Sequence, residues 1–134
     1  MAKLETIEGI GPVYAQKLRA AGVGSVETLL KAGNTPQGRR ELAKKTGIGD
    51  EYIMDWVNRA DLMRVRGIGE EYGDLLEWAG VDTVVELAQR NPDNLYQKIV
   101  EVNEQKQLVR RPPTRDMVAG WIKQAKALPR VVSY

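Results

Sequence analysis

Apolar residues recur at intervals of three and four along most of the chain, the spacing of one face of an α helix. Alternation of apolar and polar residues, typical of a half-buried β strand, is nearly absent. The pattern therefore predicts an all-α protein. Two dipeptides, Thr35-Pro36 and Asn91-Pro92, combine an N-cap residue with proline at the first helical position, so each should begin a helix.

Helix ends are predicted from glycine. Gly22, Gly33 and Gly80 fit helix C-termini, where glycine adopts a positive φ without the steric penalty of a Cβ atom. Short helices are predicted over residues 26–31 and 83–90, ahead of the two caps, and a longer helix over residues 95–106, behind the second cap.

The tripeptide Gly-Ile-Gly occurs at residues 9–11, 47–49 and 67–69, and a predicted helix follows each copy. In every copy a tyrosine lies three residues after the second glycine, and a large apolar residue lies seven residues after the same glycine. Three copies with one spacing indicate an internal repeat. These side chains lie one helical turn apart on one face, so we expect them in the core rather than stacked on nucleic-acid bases. They are Tyr14, Tyr52 and Tyr72, followed by Leu18, Trp56 and Leu76.

A longer repeat relates two parts of the chain at an offset of 58 residues, aligning residues 10–29 with residues 68–87 at apolar, tyrosine and glycine positions. Matching Trp56 with Trp121 then places a degenerate fourth copy at residues 110–114, where arginine and proline replace the glycines. Thr114 should cap a last helix there.

The repeats predict four helical hairpins in two pairs, residues 1–61 and residues 62–134, packed as one compact body. The second pair includes a basic C-terminal segment. Each half is small enough to be marginally stable alone, which favours a shared interface.

The segment Ile7-Glu8-Gly9-Ile10-Gly11-Pro12-Val13-Tyr14-Ala15-Gln16-Lys17-Leu18 resembles the helix-hairpin-helix motif. In that motif an apolar-flanked Gly-Ile-Gly or Gly-Val-Gly turn precedes a helix with spaced alanine and leucine. The order of segments, ending in residues 121–129, also resembles a bacterial family catalogued only as a domain of unknown function. The motif resemblance implies binding of duplex DNA through its sugar-phosphate backbone without sequence readout; the family resemblance implies no established activity.

The turn suits a phosphate for physical reasons of its own. Two glycines let the backbone approach an anion closely, and the following helix presents unpaired N–H groups at the positive end of its dipole. The same glycines also let two helices cross tightly, a structural role that requires no ligand.

Charge distinguishes the four turns. Asp50-Glu51 and Glu70-Glu71 place carboxylates in the first helical turn after the second and third copies, where they stabilise the dipole and repel phosphate. The first copy has Pro12 and Val13 there, so its helix N-terminus remains open. Prolines in the fourth copy remove backbone donors and leave arginine charge. The candidate nucleic-acid-binding residues are Gly9, Gly11, Val13, Lys17, Arg110, Arg111 and Arg115.

Overall charge says less than its distribution. The 134 residues carry 20 basic and 18 acidic side chains, and this balance predicts no polyanionic partner. Residues 61–104 hold four basic and ten acidic side chains, whereas residues 105–134 hold seven basic and one acidic. Arg39-Arg40 and Lys44-Lys45 could follow a nucleic-acid backbone, but their spacing is typical of a solvated helix face.

The chain has no cysteine and no histidine, which excludes disulfides, thiol nucleophiles, the usual zinc ligands and the commonest general base. Acidic residues show no metal-binding spacing, so we expect no enzyme, no cofactor and no metal site. No apolar run approaches the roughly 18 residues of a membrane span, and the N-terminus lacks the apolar core of a signal peptide. A soluble, cytoplasmic protein is expected.

The leading functional hypothesis is weak, sequence-nonspecific binding of double-stranded DNA. The alternative is a protein-interaction scaffold that keeps the helix-hairpin-helix fold without binding phosphate, as the acidic first turns suggest. A third possibility is a small-ligand pocket between the halves, to which no residue points. The oligomeric state and the choice between DNA and RNA stay open.

Overall fold

The computed structural model describes residues 2–134. This range contains eight α helices and no β strand, which confirms the all-α prediction. A short 3-10 helix, Leu4–Thr6, comes first. The α helices are α1 (Pro12–Ala20), α2 (Val26–Gly33), α3 (Pro36–Thr46), α4 (Asp50–Leu62), α5 (Glu70–Trp78), α6 (Val84–Ala88), α7 (Pro92–Lys106) and α8 (Arg115–Ala127).

The helices form two compact units. Unit 1 comprises Met1–Asp61 together with Val131–Tyr134, and unit 2 comprises Leu62–Arg130. The sequence placed residues 131–134 in the second half, whereas the structure places them in unit 1. This difference arises from polar contacts of Ser133 with Asn34 and with Arg39 of α3, and from a hydrogen bond that the Tyr134 hydroxyl donates to Asn58 of α4 at 2.9 Å.

Side-chain caps begin most of the helices. In unit 1, the Ser25 hydroxyl accepts a hydrogen bond from the Thr28 N–H at 3.1 Å, and the Thr35 hydroxyl accepts one from the Gly38 N–H at 3.0 Å. In unit 2, the same role falls to Thr83 for α6, Asn91 for α7 and Thr114 for α8. The helix starts predicted at Thr35-Pro36, Asn91-Pro92 and Thr114 are confirmed.

Three helices end at or just before the predicted glycines, but only two of these glycines adopt a positive φ. Gly22 and Gly80 follow α1 and α5 with φ of 89° and 91°, in the region that favours glycine. Gly33 is the last residue of α2, which confirms its predicted place at a helix end, but it is buried and its predicted positive φ is wrong. A Cβ atom there would lie 2.6 Å from Val57 Cγ2, and the glycine therefore serves close packing of α2 against α4.

The internal repeat at an offset of 58 residues is confirmed by matching backbone geometry. Gly9 and Gly67 have φ of 96° and 97°, and an N–H to carbonyl bond spans the turn before each: from Ile10 to Ile7, and from Ile68 to Val65. Later bonds correspond as well. They are Ala15 to Gly11 and Val23 to Leu18 in unit 1, and Gly73 to Gly69 and Val81 to Leu76 in unit 2.

Each unit buries one tryptophan against the first glycine of its turn. Trp56 is 1% exposed, and its Nε1 lies 3.3 Å from the position of a Cβ added at Gly9. Trp121 is 3% exposed, and its Nε1 lies 3.0 Å from the equivalent position at Gly67. Trp121 therefore has the same neighbour in unit 2 that Trp56 has in unit 1.

The segment Val131–Tyr134 contacts the rest of unit 1 through Arg39, which is buried. Its Nη1 donates to the Gly33 carbonyl at 2.9 Å, its Nη2 donates to the Ser133 carbonyl at 2.7 Å, and its guanidinium carbon lies 5.8 Å from the centre of the Tyr134 ring. The Ser133 N–H also donates to the Asn34 carbonyl at 2.8 Å. Burial lowers the pKa of Arg39 from its ordinary value.

Replacing Arg39 with alanine should lower the free energy of unfolding by about 1–3 kcal/mol, because the buried Gly33 carbonyl would lose its donor. Urea denaturation followed by far-UV circular dichroism measures the change. Arg40 is exposed on the same helix, so Arg40→Ala should change stability by less than about 0.5 kcal/mol. Equal losses for the two variants would contradict the role given to Arg39.

Candidate nucleic-acid interface

The Gly9-Ile10-Gly11 turn leads directly into α1. Gly11 is the N-cap residue and supplies no side-chain hydrogen bond, and Pro12 occupies the first helical position. Proline has no N–H, so the N–H groups of Val13 and Tyr14 are the donors without an intrahelical partner. No acidic residue lies in this first turn. The N-terminus of α1 is therefore uncapped and retains its positive dipole end.

The two glycines of this turn have different roles. A Cβ atom at Gly11 would meet nothing within 4 Å, so the space that an approaching anion needs is open. At Gly9, the positive φ favours glycine, and the indole of Trp56 leaves little room for a Cβ atom. The prediction that both glycines admit a ligand thus fits the surroundings of Gly11 better than those of Gly9.

Two side chains of α1 that the sequence assigns to the interface lie at opposite ends of the helix. Val13 is 67% exposed and belongs to the first helical turn. Lys17 is exposed but belongs to the last turn of α1. Helical Cα–Cβ bonds tilt toward the N-terminus, so its long side chain starts in the direction of the turn. Arg19 is engaged with Glu5 at 2.7 Å, and this contact lowers the pKa of Glu5.

In unit 2, the third Gly-Ile-Gly turn lies beside the arginines of the fourth segment. An open cleft of about 470 Å³ is lined by the α5 start and by both arginines, and the Tyr72 hydroxyl donates to the Arg111 carbonyl at 2.9 Å. An anion bound here would meet the carboxylates of the same turn. The lining residues are Gly69, Glu70, Glu71, Tyr72, Arg110 and Arg111.

Arg115 has acidic partners of its own. Its Nε donates to the Asp93 carboxylate, and its Nη1 lies 3.9 Å from Asp116. The hydrogen bond with Asp93 raises the pKa of Arg115 and lowers that of Asp93. A phosphate would have to compete with Asp93 for this guanidinium, which makes Arg115 a weaker candidate than the sequence suggested.

The seven predicted residues thus fall into two groups. Gly9, Gly11, Val13 and Lys17 share the first turn and α1 in unit 1. Arg110, Arg111 and Arg115 lie in unit 2, near the start of α8.

Residues 8–128 match the family model described as Domain of unknown function (DUF4332). The chain belongs to this family. The resemblance to a family of unknown function is therefore confirmed for the DUF4332 chain over most of its length. No significant match to a curated protein or to a solved structure is found.

Two further features of the DUF4332 chain bear on the chemistry available. Among residues 2–134, no group of three or more carboxylates is arranged to hold a metal ion. Within the same range, no helix combines the length and the apolar character that crossing a membrane requires.

Part of the aromatic cluster in this DUF4332 domain differs from the prediction. The ring of Tyr14 lies 6.0 Å from that of Tyr52 and 5.1 Å from that of Trp56, measured between centroids. Trp56 is buried as expected, but Tyr52 is 50% exposed, so its predicted core position is wrong. The inward stripe of α4 contains Ile53 and Trp56, and Tyr52 lies at the edge of that stripe.

Proposed function

We propose that this protein binds duplex DNA weakly and without sequence preference, through helix-hairpin-helix turns that contact the sugar-phosphate backbone. The uncapped N-terminus of α1 after Gly9-Ile10-Gly11 carries the proposal. It offers backbone N–H donors and a positive dipole end to a phosphate, with no carboxylate in its first turn.

A contact between the helices that follow the first two Gly-Ile-Gly copies supports the same proposal. In unit 1, the helix after the second Gly-Ile-Gly copy begins at Asp50, and its Tyr52 ring lies near that of Tyr14 on α1. This contact between the two helices supports the paired turns that the proposal assigns to unit 1. The carboxylates of Asp50 and Glu51 limit the second turn, so α1 is the main contact.

Binding of this kind should be steeply salt-dependent. Contacts at the first turn, with further contacts from Arg110 and Arg111, would neutralise about three to five phosphates. The expected slope of log K against log salt is then about −3 to −4.5. Since the contacts read no base edges, two duplexes of different sequence should differ in affinity by less than about tenfold.

Replacing Val13 with glutamate tests the proposal most directly. Val13 corresponds to Glu71 at the 58-residue offset, so the substitution gives α1 a carboxylate that α5 already tolerates. We expect DNA affinity to fall about tenfold and the salt slope to flatten by about one unit. The new carboxylate should stabilise the helix by about 0.3–1 kcal/mol, so a loss of DNA affinity in this variant could not be attributed to misfolding. Fluorescence anisotropy of a labelled 20-base-pair duplex measures binding.

The matched control is Val131→Glu, which places the same charge on an exposed valine of unit 1 outside the turns. It should change affinity much less than Val13→Glu. Two combinations extend the test: Lys17→Glu with Arg111→Glu should weaken binding and flatten the slope by about two units, whereas glutamine at Glu70 and Glu71 should strengthen it. Absence of binding at low salt, or equal effects at the two valines, would refute the proposal.

A second candidate function is a protein-interaction scaffold that keeps the fold without binding phosphate. The acidic first turns of α4 and α5, together with the exposed side chains of Val13 and Tyr52, favour it. If the glutamine pair at Glu70 and Glu71 left DNA affinity unchanged but abolished binding of a native protein partner, the acidic turns would be the recognition surface.

A further inference from the structure

Trp78 is a large apolar side chain that unit 2 leaves in solvent. It is the last residue of α5 and is 54% exposed. It lines an open cleft of about 560 Å³ together with Gly80 and the acidic residues Asp74, Glu77 and Asp82. An indole bordered by carboxylates offers an aromatic face and negative charge to the same ligand.

The Trp78 ring already contacts an alkylammonium group of the chain itself. Nζ of Lys106, at the end of α7, lies 3.8 Å from the centre of the ring. A cation over an indole face is attracted by the negative potential of the π system, and tryptophan is the strongest aromatic partner in this respect. Lys106 thus shows which chemical group the ring accommodates.

The internal repeat shows that the fold does not require this cleft. Unit 1 has the same helix, the same glycine turn and the same backbone bonds at the corresponding place. At an offset of 58 residues, none of the four cleft side chains is retained. The residues Gln16, Arg19, Ala20 and Gly24 correspond to Asp74, Glu77, Trp78 and Asp82. An exposed tryptophan and three carboxylates therefore distinguish unit 2 from a copy that folds without them.

The electrostatic environment agrees with a cationic ligand. Glu86 lies on α6 beyond Asp82, and burial together with the Asp82 charge raises the pKa of its carboxyl group. Burial is the largest cause of this shift; the Asp82 charge adds to it and the Arg90 charge opposes it.

We propose that Trp78, Asp74, Glu77 and Asp82 form a docking surface for a lysine-rich segment of a partner protein. A lysine of that segment lies along the indole, where it displaces Lys106, and its ammonium group is held by the surrounding carboxylates. This surface is independent of the DNA contact proposed for α1. Exposed tryptophan is typical of binding hot spots because it buries a large area when a partner docks.

A labelled hexalysine peptide tests this surface on the full chain. Anisotropy at low salt should show that Trp78→Ala weakens binding about five- to tenfold, while Trp78→Phe, which keeps a weaker aromatic face, weakens it less. Lys106→Gln should strengthen binding about two- to fivefold, because it removes the internal competitor. Lys98→Gln makes the same charge change on an exposed residue of α7, and its gain should be clearly smaller.

The carboxylates have their own matched pair. Glu77→Gln with Asp82→Asn should weaken hexalysine binding about tenfold, whereas Glu101→Gln with Glu104→Gln removes two exposed charges of α7 and should have a lesser effect. Unchanged binding in Trp78→Ala, equal losses in the two carboxylate pairs, or equal gains in the two lysine variants would each overturn the proposal. These experiments measure peptide binding and not DNA affinity, so their failure would not contradict the proposed DNA binding.

Discussion

Replacing Trp56 with alanine should lower the free energy of unfolding of unit 1 by about 3–5 kcal/mol. The indole is almost wholly buried, packs against Tyr14 and lies over the turn at Gly9. Alanine would remove that apolar surface and leave a cavity next to the turn. Hydrogen exchange measured by mass spectrometry reads the loss in residues 2–61, and Trp121→Ala should cause a comparable loss in residues 62–130.

Trp78 supplies the control for both substitutions. Since its side chain is half-exposed and its main loss is the contact with Lys106, Trp78→Ala should lower the free energy of unfolding by about 1 kcal/mol or less. A loss below about 1 kcal/mol for Trp56→Ala would contradict the packing role of the indole. A large loss at Trp121 but not at Trp56 would show that the two copies have diverged in their cores.

Alanine at Gly38 and alanine at Gly120 should change stability in opposite directions. A Cβ atom at Gly38 would lie 2.1 Å from the Ala32 carbonyl oxygen, at the contact between α2 and α3. Neither backbone can yield cheaply, so we expect a loss of about 1–3 kcal/mol or more. At Gly120, within α8, an added Cβ atom would meet nothing within 4 Å. Alanine there should raise stability by about 0.5–1 kcal/mol.

Urea denaturation of the two alanine variants beside the parent chain decides the matter. Neither substitution changes charge, so the comparison isolates backbone freedom and packing. A stabilised Gly38→Ala variant would mean that α2 and α3 separate readily. A destabilised Gly120→Ala variant would mean that α8 depends on flexibility at its centre.

Sequence reasoning succeeded where the determining contacts are local. The N-caps at Thr35, Asn91 and Thr114 bond to N–H groups three residues ahead, so the signal lies within one turn of chain. The Gly-Ile-Gly turns were found in the same way, because each depends on a few consecutive residues. The open N-terminus of α1 is likewise a property of Gly11 and the two residues after it.

Predictions from the sequence are wrong or incomplete where the environment of a residue depends on partners far away in the chain. Gly33 is required by Val57, which belongs to another helix. A solvated helix face is the prediction for Arg39, but this residue is buried and donates a hydrogen bond to the carbonyl of Ser133, 94 residues later. Arg115 is engaged by Asp93, 22 residues earlier. Periodicity along one helix carries no information about partners that chain folding brings from elsewhere.

The return of Val131–Tyr134 to unit 1 has a consequence for biosynthesis. A ribosome adds roughly 5–20 residues per second, so Ser133 is joined to the chain roughly 4–14 s after Asp61. Throughout that interval Ser133 is absent, so Arg39 and the carbonyl of Asn34 lack the hydrogen bonds that they later form with it. Unit 1 therefore gains its full set of native contacts only after the whole of unit 2 has been synthesised.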